Sequence, residues 1–193
     1  MFSTEEPAEL PVWIVEDDGR GTWHWDPPEI ELIDGRPVRK VSPKRRHARV
    51  QGTLFTELDR WGRENGYEVG TEWRFHLSST NSYVSDIAAA SVARLEALDD
   101  VAVEEPPFAP DLAVEVRSPS NRAGEIATKI ARYLEFGGGL VLDVDPAKRT
   151  IVAHDRHGTT TYRAGDTFEH AAAPGLRFDV GALFAAAERV RLR

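Results

Sequence analysis

The stretch Asp111-Leu112-Ala113-Val114-Glu115-Val116-Arg117-Ser118-Pro119-Ser120 decides how this chain is read. Successive side chains of a strand point to opposite faces. Leu112, Val114 and Val116 therefore make one apolar face, and Asp111, Ala113, Glu115 and Arg117 share the other. Ser118-Pro119-Ser120 then breaks the strand. A carboxylate in so apolar a strand is costly unless it is paired, neutralised or bound to a metal. A second apolar strand, Tyr83 to Val92, carries one too, Asp86. If the two strands are neighbours, Asp86 and Glu115 can converge on one ion. Mg2+ prefers oxygen ligands and typically takes one or two protein carboxylates, with water and phosphate completing its shell. The competing reading is that each acid caps a strand end or pairs with an arginine.

Working outward, Ile30 to Ile33 reads as a strand, Asp34-Gly35 as a tight hairpin turn and Val38 to Val41 as the returning strand. Ser42-Pro43 reads as a helix start, with Ser as cap and Pro in the first turn. Val50, Leu54, Leu58 and Trp61 then recur on one helical face, and Gly66 ends the helix. From Tyr67 to Leu77 the period changes to two, the mark of a half-buried strand. Beyond the quoted stretch, Ala123 to Phe136 predicts a helix with Ile126, Ile130 and Leu134 on its core stripe, stopped by Gly137 to Gly139. Strands follow at Leu140 to Val144 and Thr150 to His154, and a helix is predicted around Ala182 to Arg189. This order predicts an α/β fold in which a mixed β-sheet is flanked by helices.

A chain of 193 residues fits one domain. Residues 1–28, Trp-spotted and closed by Pro27-Pro28, read as an N-terminal extension packed on a domain of residues 29–193. With no cysteine, disulfides and Cys-based zinc sites are excluded. No apolar run approaches a membrane span and the start lacks signal-peptide character, so a cytoplasmic protein without membrane association is expected. The net charge of −8 argues against strong nonspecific nucleic-acid binding. The charge is uneven, however. Arg36, Arg39, Lys40, Lys44, Arg45, Arg46 and Arg49 form a basic strip with no acid between them, whereas Glu96 to Glu105 is acidic. The strip is either a solvated helix start or a local phosphate contact.

Several of these motifs resemble the Uma-type restriction-endonuclease family of the PD-(D/E)XK nuclease superfamily. They are Glu31-Leu32-Ile33-Asp34-Gly35, Ser42-Pro43 with His47, Ala109 to Ser120, Lys129 with Tyr133, and Val144-Asp145-Pro146. Together they cover roughly residues 29 to 180. The resemblance implies a restriction-endonuclease-like fold, with Asp86 in the place of the first acid and Glu115 in that of the second. The lysine that usually follows the second acid by two residues is replaced by Arg117, which can bind phosphate but cannot act as a base. Lys129, four residues before Tyr133 on one helix face, resembles the family's displaced lysine. Ser85 stands where the family usually has proline, and His47 where it carries a histidine. Asp111 and Glu115 share one strand about 13 Å apart, so Asp111 is read as a strand-start residue or as one that supports the site without entering it, despite the apparent Pro110-Asp111…Glu115 signature.

What the resemblance implies for function is an endonuclease that hydrolyses DNA with Mg2+ or Mn2+. Asp86 and Glu115 would be the metal ligands, and Asp86, Glu115 and Lys129 the catalytic set. The alternative is an inactive nucleic-acid- or protein-binding module on the same fold. A homodimer is compatible with either.

Overall fold

The computed structural model describes residues 30–40, 43–118 and 123–188. The N-terminal extension expected over residues 1–28 and the expected Ser42 cap lie outside them. Strands β1 (Ile30–Ile33) and β2 (Arg36–Arg39) form the anticipated hairpin. Asp34 (φ 49°) and Gly35 (φ 77°) both take left-handed conformations, as a tight primed turn requires. The returning strand comes earlier than Val38–Val41, which leaves Lys40 beyond its end.

Helix α1 (Arg45–Asn65) starts later than Ser42-Pro43 suggested, with Lys44 at the cap position and no side-chain capping bond. It ends as expected at Gly66, which is left-handed (φ 76°). Its buried stripe contains Val50, Leu54, Leu58 and Trp61, and is extended toward the N-terminus by two polar residues, His47 and Gln51.

Strands β3 (Tyr67–Ser78) and β4 (Asn81–Ser91) form a long antiparallel hairpin. It leads through the short α2 (Val92–Leu95) and a loop to β5 (Leu112–Val116). Helix α3 (Ala123–Glu135) then carries the chain to β6 (Leu140–Asp145), parallel to β5. β7 (Thr150–Asp155) and β8 (Gly158–Arg163) continue the sheet antiparallel. β9 (Thr167–His170) and β10 (Ala173–Asp179) pair separately, and α4 (Val180–Glu188) follows. The eight-stranded mixed sheet runs β2-β1-β4-β5-β6-β7-β8, with β3 also paired to β4.

Two features of β4 place the site. With β3 along one edge, β1 and β5 share the other: β1 pairs at Leu32↔Ser82, β5 only at Ile87 to Ala89. The sheet forks between them. At the fork the core-facing side also changes. Tyr67 and Val69 of β3 and Ile87 and Ala89 of β4 pack into the core shared with α1 and α4. Trp73, Phe75, Leu77 and Tyr83 join the opposite core under α3. The pairing stays in register across the switch, from Thr71↔Ile87 to Trp73↔Ser85. The reversal therefore falls at Glu72 and Asp86, where Glu72 has φ 51°. The period-two pattern of Tyr67 to Leu77 thus serves two cores.

Gly138 and Gly139 do more than stop α3. A Cβ on Gly139 would lie 2.9 Å from the Asp111 carbonyl oxygen, and one on Gly138 would lie 2.8 Å from that of Tyr133. By contrast, exposed Gly52 in α1 has open space around it. Gly139→Ala is expected to destabilise by about 1–3 kcal/mol, as overpacking does. Gly52→Ala is expected to stabilise by about 1 kcal/mol through helix propensity. Thermal melts of the two variants, with shifts of opposite sign, check this.

Candidate functional site

Asp86 and Glu115 face each other across the end of the β4–β5 ladder. The pairing Ile87↔Val114 makes them the next cross-strand pair, and the Val116 N–H donates to Asp86 Oδ2 at 2.7 Å. Both are buried, at 2% and 5% exposure. Lys129 on α3 reaches Glu115 Oε1 at 2.7 Å and Glu31 Oε1 at 2.8 Å. Tyr133, one turn further along, donates to Glu115 Oε1 at 3.1 Å, and its hydroxyl lies 2.7 Å from Ser85 Oγ. The three side chains singled out from the sequence, Asp86, Glu115 and Lys129, thus line one cleft.

Five residues of the cluster were not anticipated as site residues: Glu31, Lys40, Gln51, Glu72 and His47. Glu31 on β1 bridges the fork: Oε1 accepts from the Val84 N–H at 2.9 Å as well as from Lys129. Lys40 donates to the Val84 carbonyl at 3.0 Å and sits 3.0 Å from Asp86 Oδ1 and 2.6 Å from Glu72 Oε2. Gln51 donates to Glu72 Oε1 at 2.8 Å and to the Asp86 carbonyl at 2.7 Å. The available signals were a glutamate inside a short strand and polar residues heading an apolar helical stripe. His47 Nε2 lies 3.4 Å from Asp86 Oδ2, yet both ring nitrogens are buried without a hydrogen-bond partner.

Other sequence readings are redirected. Arg117 is committed to Asp143 by two 2.7 Å hydrogen bonds from its guanidinium and stands outside the cluster. Asp111 accepts from the Ser91 N–H and from Arg94, each at 2.8 Å, a strand-start role as expected. The basic strip divides: Lys40 turns into the site, Arg49 donates to the Ala186 and Ala187 carbonyls of α4, and Lys44, Arg45 and Arg46 are exposed.

The electrostatics follow from the count of charges. Four carboxylates, Glu31, Glu72, Asp86 and Glu115, share two ammonium groups. Burial would raise Asp86, but the His47 contact and the Lys40 charge outweigh it and hold its carboxyl well below the usual range. Burial pushes Glu115 up to about 7 despite Lys129, helped by repulsion from Asp86 and Glu31. Burial alone would lower Lys129, yet Glu115 and Glu31 hold it well above its ordinary value. The donor set fits a hard divalent cation: oxygen atoms from two facing carboxylates with acid in excess. Asp86 and Glu115 could hold such an ion. Among the described residues, no three His, Cys, Asp or Glu side chains are already gathered as a ligand set.

A mixed sheet with helices on both faces and buried acids at a fork is a nuclease-like architecture. The fold matches a crystal structure titled "putative nuclease belonging to DUF820" from Anabaena variabilis, with a TM-score of 0.73 and 20% sequence identity. The match covers 83% of this chain and 92% of that one. The chain belongs to the Uma2 family, described as "Putative restriction endonuclease", whose model matches residues 23–181. No curated protein matches the sequence. Among the described residues, no helix is long and apolar enough to cross a membrane.

The raised Glu115 carries a stability signature. Its folded form holds its proton up to about pH 7, whereas the unfolded chain releases it near the ordinary value of 4.5. Between those values the folded state binds more protons, so this group's contribution to stability falls as pH rises. Glu115→Gln leaves Lys129 paired with Glu31 and removes that penalty. It is expected to melt above wild type at pH 8, by roughly 2–4 °C per kcal/mol gained. The gap should narrow below pH 7 and vanish near pH 4. Melts across that range check it.

Proposed function

We propose that this protein is a Mg2+- or Mn2+-dependent endonuclease that hydrolyses DNA phosphodiester bonds in the cytoplasm, with Asp86 and Glu115 as metal ligands and Lys129 as the third catalytic residue. The observation that carries the reading is the facing pair of buried carboxylates at the fork of the sheet, in a cluster where acid outnumbers base. Membership of a family described as restriction endonucleases supports this reaction class. When bound, the ion would polarise the scissile phosphate and lower the pKa of an attacking water.

The chain's own residues divide the remaining work. Lys129, held above its ordinary pKa by Glu115 and Glu31, stays an ammonium and serves as a fixed positive charge for the phosphate, not as a base. Tyr133 and Ser85 fix the Glu115 carboxylate on one side. The Val116 N–H fixes Asp86 on the other. His47, whose Nε2 lies 3.4 Å from Asp86 Oδ2, orients water or phosphate at Asp86. Lys44, Arg45 and Arg46, exposed at the start of α1 just before His47, supply backbone contacts to the duplex.

With Mg2+ and supercoiled plasmid, Asp86→Asn and Glu115→Gln are expected to lose nicking by at least about 100-fold, the scale of metal-site changes. Lys129→Ala should lose nicking yet still bind the ion, because an ammonium is no ligand. Asp111→Asn, outside the cluster, should cut like wild type. A wild-type protein that binds no divalent ion and cuts no DNA would return the fold to the binding-module reading.

A separate measurement addresses the basic strip. Neutralising Lys44 and Arg45 together should weaken duplex binding and flatten its salt dependence by roughly 0.9 per lost contact. An unchanged slope would make these residues a solvated helix start.

A further inference from the structure

Asp86 is already satisfied by a cation that belongs to the chain. Lys40 Nζ lies 3.0 Å from Asp86 Oδ1, and it is anchored at the same time to the Val84 carbonyl (3.0 Å) and to Glu72 Oε2 (2.6 Å). Lys40 and Lys129 are not equivalent. Lys129 is buried on a helix and lies between two carboxylates that are themselves about as buried, at 6% and 7% side-chain exposure. Lys40 lies just beyond the end of β2, and its second partner, Glu72, is 45% exposed. Leaving Asp86 therefore strands no charge, because the ammonium keeps a half-exposed carboxylate.

The backbone is built around this arrangement. Glu72 is a non-glycine residue with φ 51°, in the strand opposite Asp86 where both strands exchange cores. Such a conformation persists only when its surroundings enforce it, and it is found where function is stored. It places the Glu72 carboxylate beside Lys40, and Gln51 holds it there by Oε1 while also gripping the Asp86 carbonyl.

We infer that Lys40 is a resident counter-cation of Asp86 that competes with the divalent ion, and that Glu72 is the site to which it withdraws when the ion binds. This rests on the reading of Asp86 as a metal ligand. Lys40 is thus a positioning residue: it offsets part of the site's negative charge until the metal arrives and sets the affinity for it.

The test is calorimetric titration of the full chain with Mn2+ alone, in wild type, Lys40→Met and Lys40→Arg. Lys40→Met is expected to bind Mn2+ about tenfold or more tightly, since a neighbouring positive charge is removed from a low-dielectric site. Lys40→Arg, which keeps the charge, should not tighten. Glu72→Gln should weaken binding in wild type and have a smaller effect beside Lys40→Met. If wild type binds Mn2+ and Lys40→Met binds it no better, the inference fails and the metal reading of Asp86 stands. If neither protein binds, both fall. A crystal structure of wild type with Mn2+ decides the matter even if Lys40→Met does not fold. Lys40 Nζ held by Glu72 and away from Asp86 supports the inference, and Lys40 still hydrogen-bonded to Asp86 overturns it.

Discussion

Burying three carboxylates, with a fourth half-exposed, around two ammonium groups is unfavourable on desolvation grounds, and ion pairing in a protein interior returns the cost only with close geometry and further hydrogen bonds. Much of the local structure supplies those conditions. The Val84 and Val116 amides, the Tyr133 hydroxyl and the Gln51 amide each donate to a carboxylate of the cluster. The residual imbalance shows in opposite displacements of the two facing acids: Asp86 stays ionised, and Glu115 retains its proton up to about 7.

The cluster exists because the sheet forks. Where β1 leaves the edge of β4 and before β5 joins it, backbone groups of β4 lack a strand to bond. Glu31 and Lys40 take over that work at Val84, so the residues that complete the sheet are also those that surround Asp86. The exchange of cores at Glu72 and Asp86 lets one hairpin cover both faces of the sheet. α1 brings His47 and Gln51 from one face, while α3 brings Lys129 and Tyr133 from the other. An acidic protein thereby keeps positive charge close to its buried acids and at the adjacent start of α1.

The sequence by itself determined the order of strands and helices, because periods of two and 3.6 and the turn residues are local properties. It also singled out Asp86, Glu115 and Lys129. An ionisable group in an apolar strand is conspicuous without coordinates, which marked Asp86 and Glu115, whereas Lys129 was marked by its resemblance to the family's displaced lysine. Gly66 and the Asp34-Gly35 turn were legible for the same local reason. Boundaries were less so: β2 ends at Arg39 and α1 begins at Arg45, since pairing and burial rather than propensity fix where each element stops.

Only the tertiary structure decided the rest of the site. Lys40 looked like one member of a basic strip, Glu72 like the outward side of a strand, and Arg117 like a phosphate ligand. Lys40 finds Val84, 44 residues away, Glu72 finds Lys40, 32 residues away, and Arg117 finds Asp143, 26 residues away. Such pairings depend on which strands become neighbours, where the sheet forks and which face a kinked strand presents. Long-range hydrogen bonding and core packing settle those choices, and no window of sequence contains them.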